Sequence, residues 1–452
     1  MECWESGSES EDGNQLPLDV EHYSRKVRMY RIEQLFKGKG LNMDKMAASV
    51  PTTPTAAKTS IATLYGPMDG LAPRRHGVDS NRFILIFSRN SGDIRVTYLM
   101  VEKAHLTVLP RVLTTDWVKL RGVVGYRALA CDNSVYVVGG RRQDSGYLIN
   151  RVIRYDPMTQ RWKTCSGMNY ARANFAISVM GRTKILVAGG VVPNEEDRAE
   201  TLTNTAEIYD PYLDKWTLMP EMKHSFKDSA CVSRDFEVFI CGGTRDKDTP
   251  GTKSSMVFRR QKLDDKINSD HPFQCKDLTE RVPLPKMLAK HSMTRLGNAM
   301  YLIGGLAREG RTIPEEPPTD HEPPLDEVAE RLETSPGVYC HRSRSRSSAR
   351  TNILASRENW HTCPEMKQPR CEAGLVATGN RIYVIGGHDH THPDKSILEV
   401  DSYHVIKEKW QTAFTLDERS YTSVDCCMID VPVTNTAFKC EAFTGTCKWV
   451  MW

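Results

Sequence analysis

The densest set of metal-ligating side chains in this sequence is His388-Asp389-His390-Thr391-His392. Its alternating imidazoles offer zinc-type ligands if a loop folds them together. They follow directly on Gly387 in a polar stretch, so the expectation is a solvated connection without metal or cofactor. The 13 cysteines are mostly single; the close pairs Cys426-Cys427 and Cys440 with Cys447 are read as isolated buried or tail thiols rather than redox centres. His341-Arg342-Ser343-Arg344-Ser345-Arg346-Ser347-Ser348 has the composition of a phosphate-pairing or nucleic-acid-binding patch. It is read as a disordered, solubilising insertion. No Gly-x-Ser-x-Gly elbow, Gly-Lys-Ser/Thr phosphate loop or His-Glu-x-x-His pair occurs, and no catalytic residue is assigned.

The elements that must carry these residues come from an internal repeat. An apolar run ending in two glycines occurs five times, at Gly139-Gly140, Gly189-Gly190, Gly242-Gly243, Gly304-Gly305 and Gly386-Gly387, with intervals lengthening from 50 to 82 residues. Runs such as Tyr136-Val137-Val138 and Tyr383-Val384-Ile385 have no polar alternation, which predicts strands covered on both faces and lying innermost. A period near 50 with this signature points to a propeller.

A second landmark keeps its distance. Tyr155 to Trp162, Tyr209 to Trp216 and Tyr403 to Trp410 are each seven residues apart, and Ile353 to Trp360 repeats the interval without the first aromatic. Each Trp is expected to fill the wedge between neighbouring sheets. With Met168 leading to Arg172 and Met366 to Arg370, the chain resembles the kelch repeat family over roughly residues 82 to 430. Arg82 to Ser88 reads as a degenerate first unit, and Leu416 to Met428 as an opening strand that closes the ring against Phe83 to Phe87. The expected fold is all-β, a six-bladed kelch propeller. A disordered arm over residues 1–81, an insertion in the fifth blade over about 306–350 with a short helix at Leu325 to Leu332, and a tail over 431–452 lie outside the ring.

Net charge is +4, from 61 basic and 57 acidic residues, which gives no general attraction to nucleic acid or anionic lipid. No apolar stretch reaches membrane-spanning length, and the first residues do not form a signal peptide. An odd number of cysteines without a framework suggests reduced thiols. The expected location is the cytoplasm, with the nucleus or cytoskeleton as alternatives.

The resemblance implies that one mouth of the ring binds peptides through side chains on the loops between blades. By motif position it points to Arg172, Lys227, Lys290, Arg370 and Arg419, with Arg142, Arg245, His388 and Asp389 from the loops after the glycines. A ring of cations suits an acidic or phosphorylated peptide. The implied function is a protein-interaction module, related to the substrate-recognition part of cullin-RING ubiquitin ligase adaptors, with actin binding as an alternative. A galactose-oxidase-like enzyme is disfavoured because no Tyr, Cys and His set is assembled. Such adaptors place BTB and BACK domains ahead of the propeller, and the 81 residues before Arg82 are too few and too polar for both, so direct cullin binding is not expected.

Overall fold

The computed structural model describes residues 80–89, 96–102, 105–107, 122–159, 161–194, 199–245, 251–261, 271–308, 332–342, 360–416 and 421–432. Every regular element among them is a strand. The N-terminal arm up to residue 79, the run 343–348, Arg419, Cys440, Cys447 and the tail beyond 432 lie outside the described residues. So does the expected helix, except that Leu332 opens a strand, Leu332–Thr334.

The described residues contain six four-stranded antiparallel sheets. Blade two is built in order from Arg127–Cys131, Ser134–Val138, Val152–Asp156 and Arg161–Cys165. Blade three begins with Ala176–Met180 and Lys184–Ala188, blade four with Ala230–Arg234 and Glu237–Cys241. Blade five begins with Ser292–Leu296 and Ala299–Ile303, blade six with Gly374–Thr378 and Arg381–Ile385. Blade one joins the two ends of the chain: Ser80–Ser88 pairs along its length with Val424–Pro432, from Ser80 opposite Pro432 to Ser88 opposite Val424. The chain therefore closes the ring on itself, as the C-terminal strand predicted.

The double-glycine strands are not innermost. Each is second in its sheet, and the strands that touch one another around the axis are the first of blades two to six together with Val424–Pro432. The physical reason is room. The first strands crowd one another around the axis: a Cβ on Gly374 would lie 2.3 Å from Cys426 Sγ of the neighbouring blade. The apolar runs sit one strand further out, enclosed by neighbouring blades on both faces; Ser134–Val138 is buried throughout.

The tryptophans fill the wedges as expected. Tyr155–Trp162, Tyr209–Trp216 and Tyr403–Trp410 have ring centroids 4.9, 5.0 and 5.0 Å apart. Trp216 packs with Cys165, Met168 and Tyr136 of blade two, and its Nε1 donates to Ser166 O. Trp410 Nε1 makes the matching bond to Pro364 O of the blade before it. In blade five the aromatic partner of Trp360 is His341, 5.4 Å away, not Ile353. The seven-residue spacing there is accidental, because the connection between the third and fourth strands is longer.

The fifth-blade insertion also differs from expectation. Within 306–350, Val338–Arg342 is the third strand of blade five, with Val338 and Cys340 buried. Leu306–Arg308 pairs with Leu332–Thr334 on one side and Leu288–Ala289 on the other in a small sheet. Residues 309–331 and 343–359 lie outside the described residues.

Candidate interaction surface at the propeller mouth

The double glycines lie at the end of the ring where the inner strands begin, and there they bond one blade to the next. Gly140, Gly190, Gly243, Gly305 and Gly387 each donate N–H to a carbonyl of the following blade, those of Arg172, Phe226, Leu288, Arg370 and Tyr421, at 2.8–3.0 Å. The preceding glycine faces the same carbonyl. At Gly304, with φ 68°, a Cβ would stand 2.3 Å from Arg370 O. A side chain cannot be accommodated against backbone at that distance, which is why the signature needs two glycines.

Two residues beyond these carbonyls the chain turns into each inner strand through the left-handed region. Gly125 (φ 64°), Asn174 (55°), Asp228 (56°), Lys290 (53°) and Glu372 (56°) are the equivalent positions of blades two to six. They are linked by a belt of main-chain bonds. Asn174 N donates to Gly125 O, Asp228 N to Asn174 O, Lys290 N to Asp228 O, Glu372 N to Lys290 O and Val424 N to Glu372 O. Gly125 N to Arg89 O and Arg89 N to Ser423 O carry the belt through blade one. Left-handed backbone costs a non-glycine residue roughly 1–2 kcal/mol, so three charged residues held there are over-determined by their surroundings.

These turns surround a cavity of about 170 Å³ on the axis. Its charged lining is Arg89, Arg127 and Lys290 against Asp228, Glu372 and Asp425. Asp425 accepts from Arg127 Nε at 3.0 Å and from Ala128 N at 2.8 Å, with Arg89 Nε 3.6 Å away. Lys290 Nζ lies 3.2 Å from Glu372 Oε1. Burial works to raise the Glu372 carboxyl, but Arg89 and Lys290 outweigh it and hold it below its ordinary value. Asp228 goes the other way: burial raises its carboxyl, and Lys290 offsets only part of the effect.

The structure divides the residues expected at the mouth. Arg172 and Arg370 are not surface cations. Both are fully buried, Arg172 bonded to Gly189 O, Thr205 O and Glu207 Oε1 (2.7 Å), Arg370 to Gly386 O, Glu399 O and Asp401 Oδ2 (2.8 Å). Each fastens the inter-blade loop to its own sheet, and burial lowers both guanidinium pKa values against the pull of the paired acid. Phe226, Leu288 and Tyr421 fill the corresponding place elsewhere, since their carbonyls take the equivalent glycine bond. Lys227 and Lys290 are therefore one and two residues out of phase with the arginines, and only Lys290 lines the cavity. His388 is also buried, with Nδ1 2.7 Å from Thr422 O and Nε2 3.3 Å from Cys371 Sγ. Its Nδ1 must donate to that carbonyl, and the Cys371 thiol lies within reach of both Nε2 and, at 3.4 Å, the His388 carbonyl oxygen.

Arg142 is exposed, Arg245 donates to Ser254 Oγ, and Asp389 accepts from Thr334 Oγ1 at 2.9 Å. His390 stands beside the same threonine, and among the described residues no three His, Cys, Asp or Glu side chains form a metal-sized group. Burial pushes the Cys371 thiol up to about 12 and raises those of Cys426 and Cys427, so these sulfurs are held as thiols.

Arg89, Asp228, Glu372 and Asp425 were missed from sequence. The available signal was the residue two beyond Arg172 and Arg370, namely Asn174 and Glu372, and the turn-forming Asp228 at the same phase. Asp425 had no local signal, because its partner Arg127 is 298 residues away in the chain.

With the geometry in hand, comparison with known proteins agrees with the repeat. The Kelch motif family matches residues 123–169, 171–223 and 369–413, which are blades two, three and six. The chain is 23% identical over 314 residues to Kelch-like protein 26 of Danio rerio, covering 68% of this chain and 42% of that protein. It is 34% identical over 121 residues to Kelch-like protein 40 of Xenopus tropicalis, covering 27% of this chain and 18% of that protein. Thus it spans about two-fifths, at 42% and 40%, of the longer-matching relatives, the second being Kelch-like protein 25 of Xenopus tropicalis. The solved structure of YjhT aligns with a TM-score of 0.51 at 14% identity over 72% of this chain and 97% of that one, a likeness of fold. The chain carries kelch motifs on a β-propeller, and blades four and five share the four-stranded architecture of the matched blades.

Proposed function

We propose that this chain is a protein-interaction module that receives a segment of a partner protein across the mouth where the double glycines lie. The observation that carries this reading is the axial cavity, lined by charged residues on turns held at positive φ and fixed to one another by the main-chain belt. A pre-formed concavity on which polar groups converge can receive a side chain of a partner. The buried thiols and paired charges supply no activated nucleophile, and the kelch motifs favour recognition over catalysis. Within this reading the propeller acts as the substrate-recognition part of a ubiquitin ligase assembly, the role implied by resemblance to kelch-like adaptors.

Site-specific photo-crosslinking tests the face. A benzophenone amino acid at Arg142 or Tyr147, both exposed on the second-to-third strand connection at the mouth, should crosslink a partner in cells. The same probe at Leu213 or Ile406, exposed on third-to-fourth strand connections at the other end, should not. Partner adducts formed only from Leu213 and Ile406 would reject the mouth.

A further inference from the structure

We propose that the axial cavity seats the cationic end of one lysine or arginine side chain from the partner protein, with the Asp228 carboxylate as its acceptor. This rests on the mouth being the interaction surface and names the chemistry it selects, which is opposite in sign to the acidic peptide expected from the sequence.

Five of the six charged groups in the lining are paired. Asp425 is satisfied by Arg127 and the Ala128 amide, with Arg89 beside it, and Glu372 by Lys290. Asp228 is the exception. Among the described residues no cation comes within ion-pair distance of it, and its carboxylate accepts no hydrogen bond. The groups that reach it by longer-range electrostatics are Lys290, Glu372, Lys227 and Arg89, two of which already serve other carboxylates. A half-buried carboxylate without a partner at the cavity wall is open to a counter-charge, and an incoming ammonium or guanidinium supplies charge-assisted hydrogen bonds. An incoming carboxylate would instead meet three anions whose cations are mostly committed.

Size and lining narrow the occupant. About 170 Å³ exceeds the roughly 30 Å³ share of a single water but is far too small for a folded peptide segment. One long side chain descending from a segment laid across the mouth fits. Ile177, Met293 and Leu375 in the lining suit the aliphatic stem of lysine or arginine, while the charged head reaches Asp228. The raised carboxyl pKa of Asp228 agrees with a group that awaits a counter-charge.

The test uses degenerate peptide libraries with the central position fixed as lysine, arginine, norleucine or glutamate, binding being read by fluorescence anisotropy on the full chain and on Asp228→Asn. Asparagine accepts left-handed backbone well, so this variant should fold, with a thermal transition at pH 7 no lower than that of the parent. The lysine and arginine libraries should bind the parent about tenfold more tightly than the norleucine library, a preference that Asp228→Asn should largely abolish. The lysine-to-norleucine comparison on the parent needs no variant. A glutamate preference, or an undiminished lysine preference in Asp228→Asn, would overturn the assignment. Binding without preference would overturn it while leaving the mouth as interaction surface; no binding of any library by the folded chain would overturn both.

Discussion

Lys290 and Glu372 occupy the same place in adjacent blades, each at positive φ (53° and 56°), and their side chains form an ion pair of 3.2 Å across the mouth. The main chain repeats the link, with Glu372 N donating to Lys290 O at 2.9 Å. Two unfavourable backbone conformations are thereby fixed by the belt that joins the blades, and the side chains they aim at the axis form part of the recognition site.

Backbone strain at Lys290 is separable from its charge. Lys290→Ala and Lys290→Gly both remove the ion pair, but only glycine adopts the left-handed turn without steric cost. The glycine variant should be more stable than the alanine variant by about 1 kcal/mol, although glycine in an ordinary position would be the weaker of the two. Urea denaturation of the pair decides it, and an alanine variant equal to or more stable than the glycine variant would contradict the strain.

His291 stands where blades two and three carry Tyr126 and Phe175, and among the described residues neither ring nitrogen has a hydrogen-bond partner. Burial pushes its pKa from 6.5 down to about 3. Below pH 6.5 the unfolded chain takes up a proton that the native state refuses until about pH 3, so this residue makes stability fall as pH is lowered through that window. The slope is at most roughly 1.4 kcal/mol per pH unit for one proton. In His291→Phe this component should vanish, giving a shallower decline in urea midpoint between pH 6.5 and 4.5. Parallel declines in parent and variant would show that His291 is not held neutral.

Arg172 is a core residue with a charge. Arg172→Met would leave Glu207 buried without its cation, at a cost of roughly 3–5 kcal/mol. Adding Glu207→Gln should recover part of the loss, and Arg142→Met at the exposed loop should change stability by no more than about 0.5 kcal/mol. Thermal or urea midpoints of the four proteins test this. Equal midpoints for Arg172→Met and Arg142→Met would return Arg172 to the surface role first expected of it.

What the sequence determined by itself was the local and repeated part of the structure. Paired glycines, apolar strands and the Tyr-to-Trp interval act within one unit or between neighbours, so the same physical demand recurs, five times for the glycines and three for the Tyr-to-Trp pair, and can be read by self-comparison. Ring closure was legible for the same reason, since a lone opening strand and a lone inner partner need each other. The tertiary structure alone decided the radial order of the strands, because both faces of the second strand are covered only once the blades surround an axis. It also decided the meaning of the cations. Arg172, Lys227 and Lys290 fall in three different phases of one turn, and a shift of one or two residues there moves a side chain from the core to the cavity. Asp425 and Arg127 meet only because Val424–Pro432 returns to the N-terminal strand, so their pairing depends on the closed ring and not on any interval in the chain.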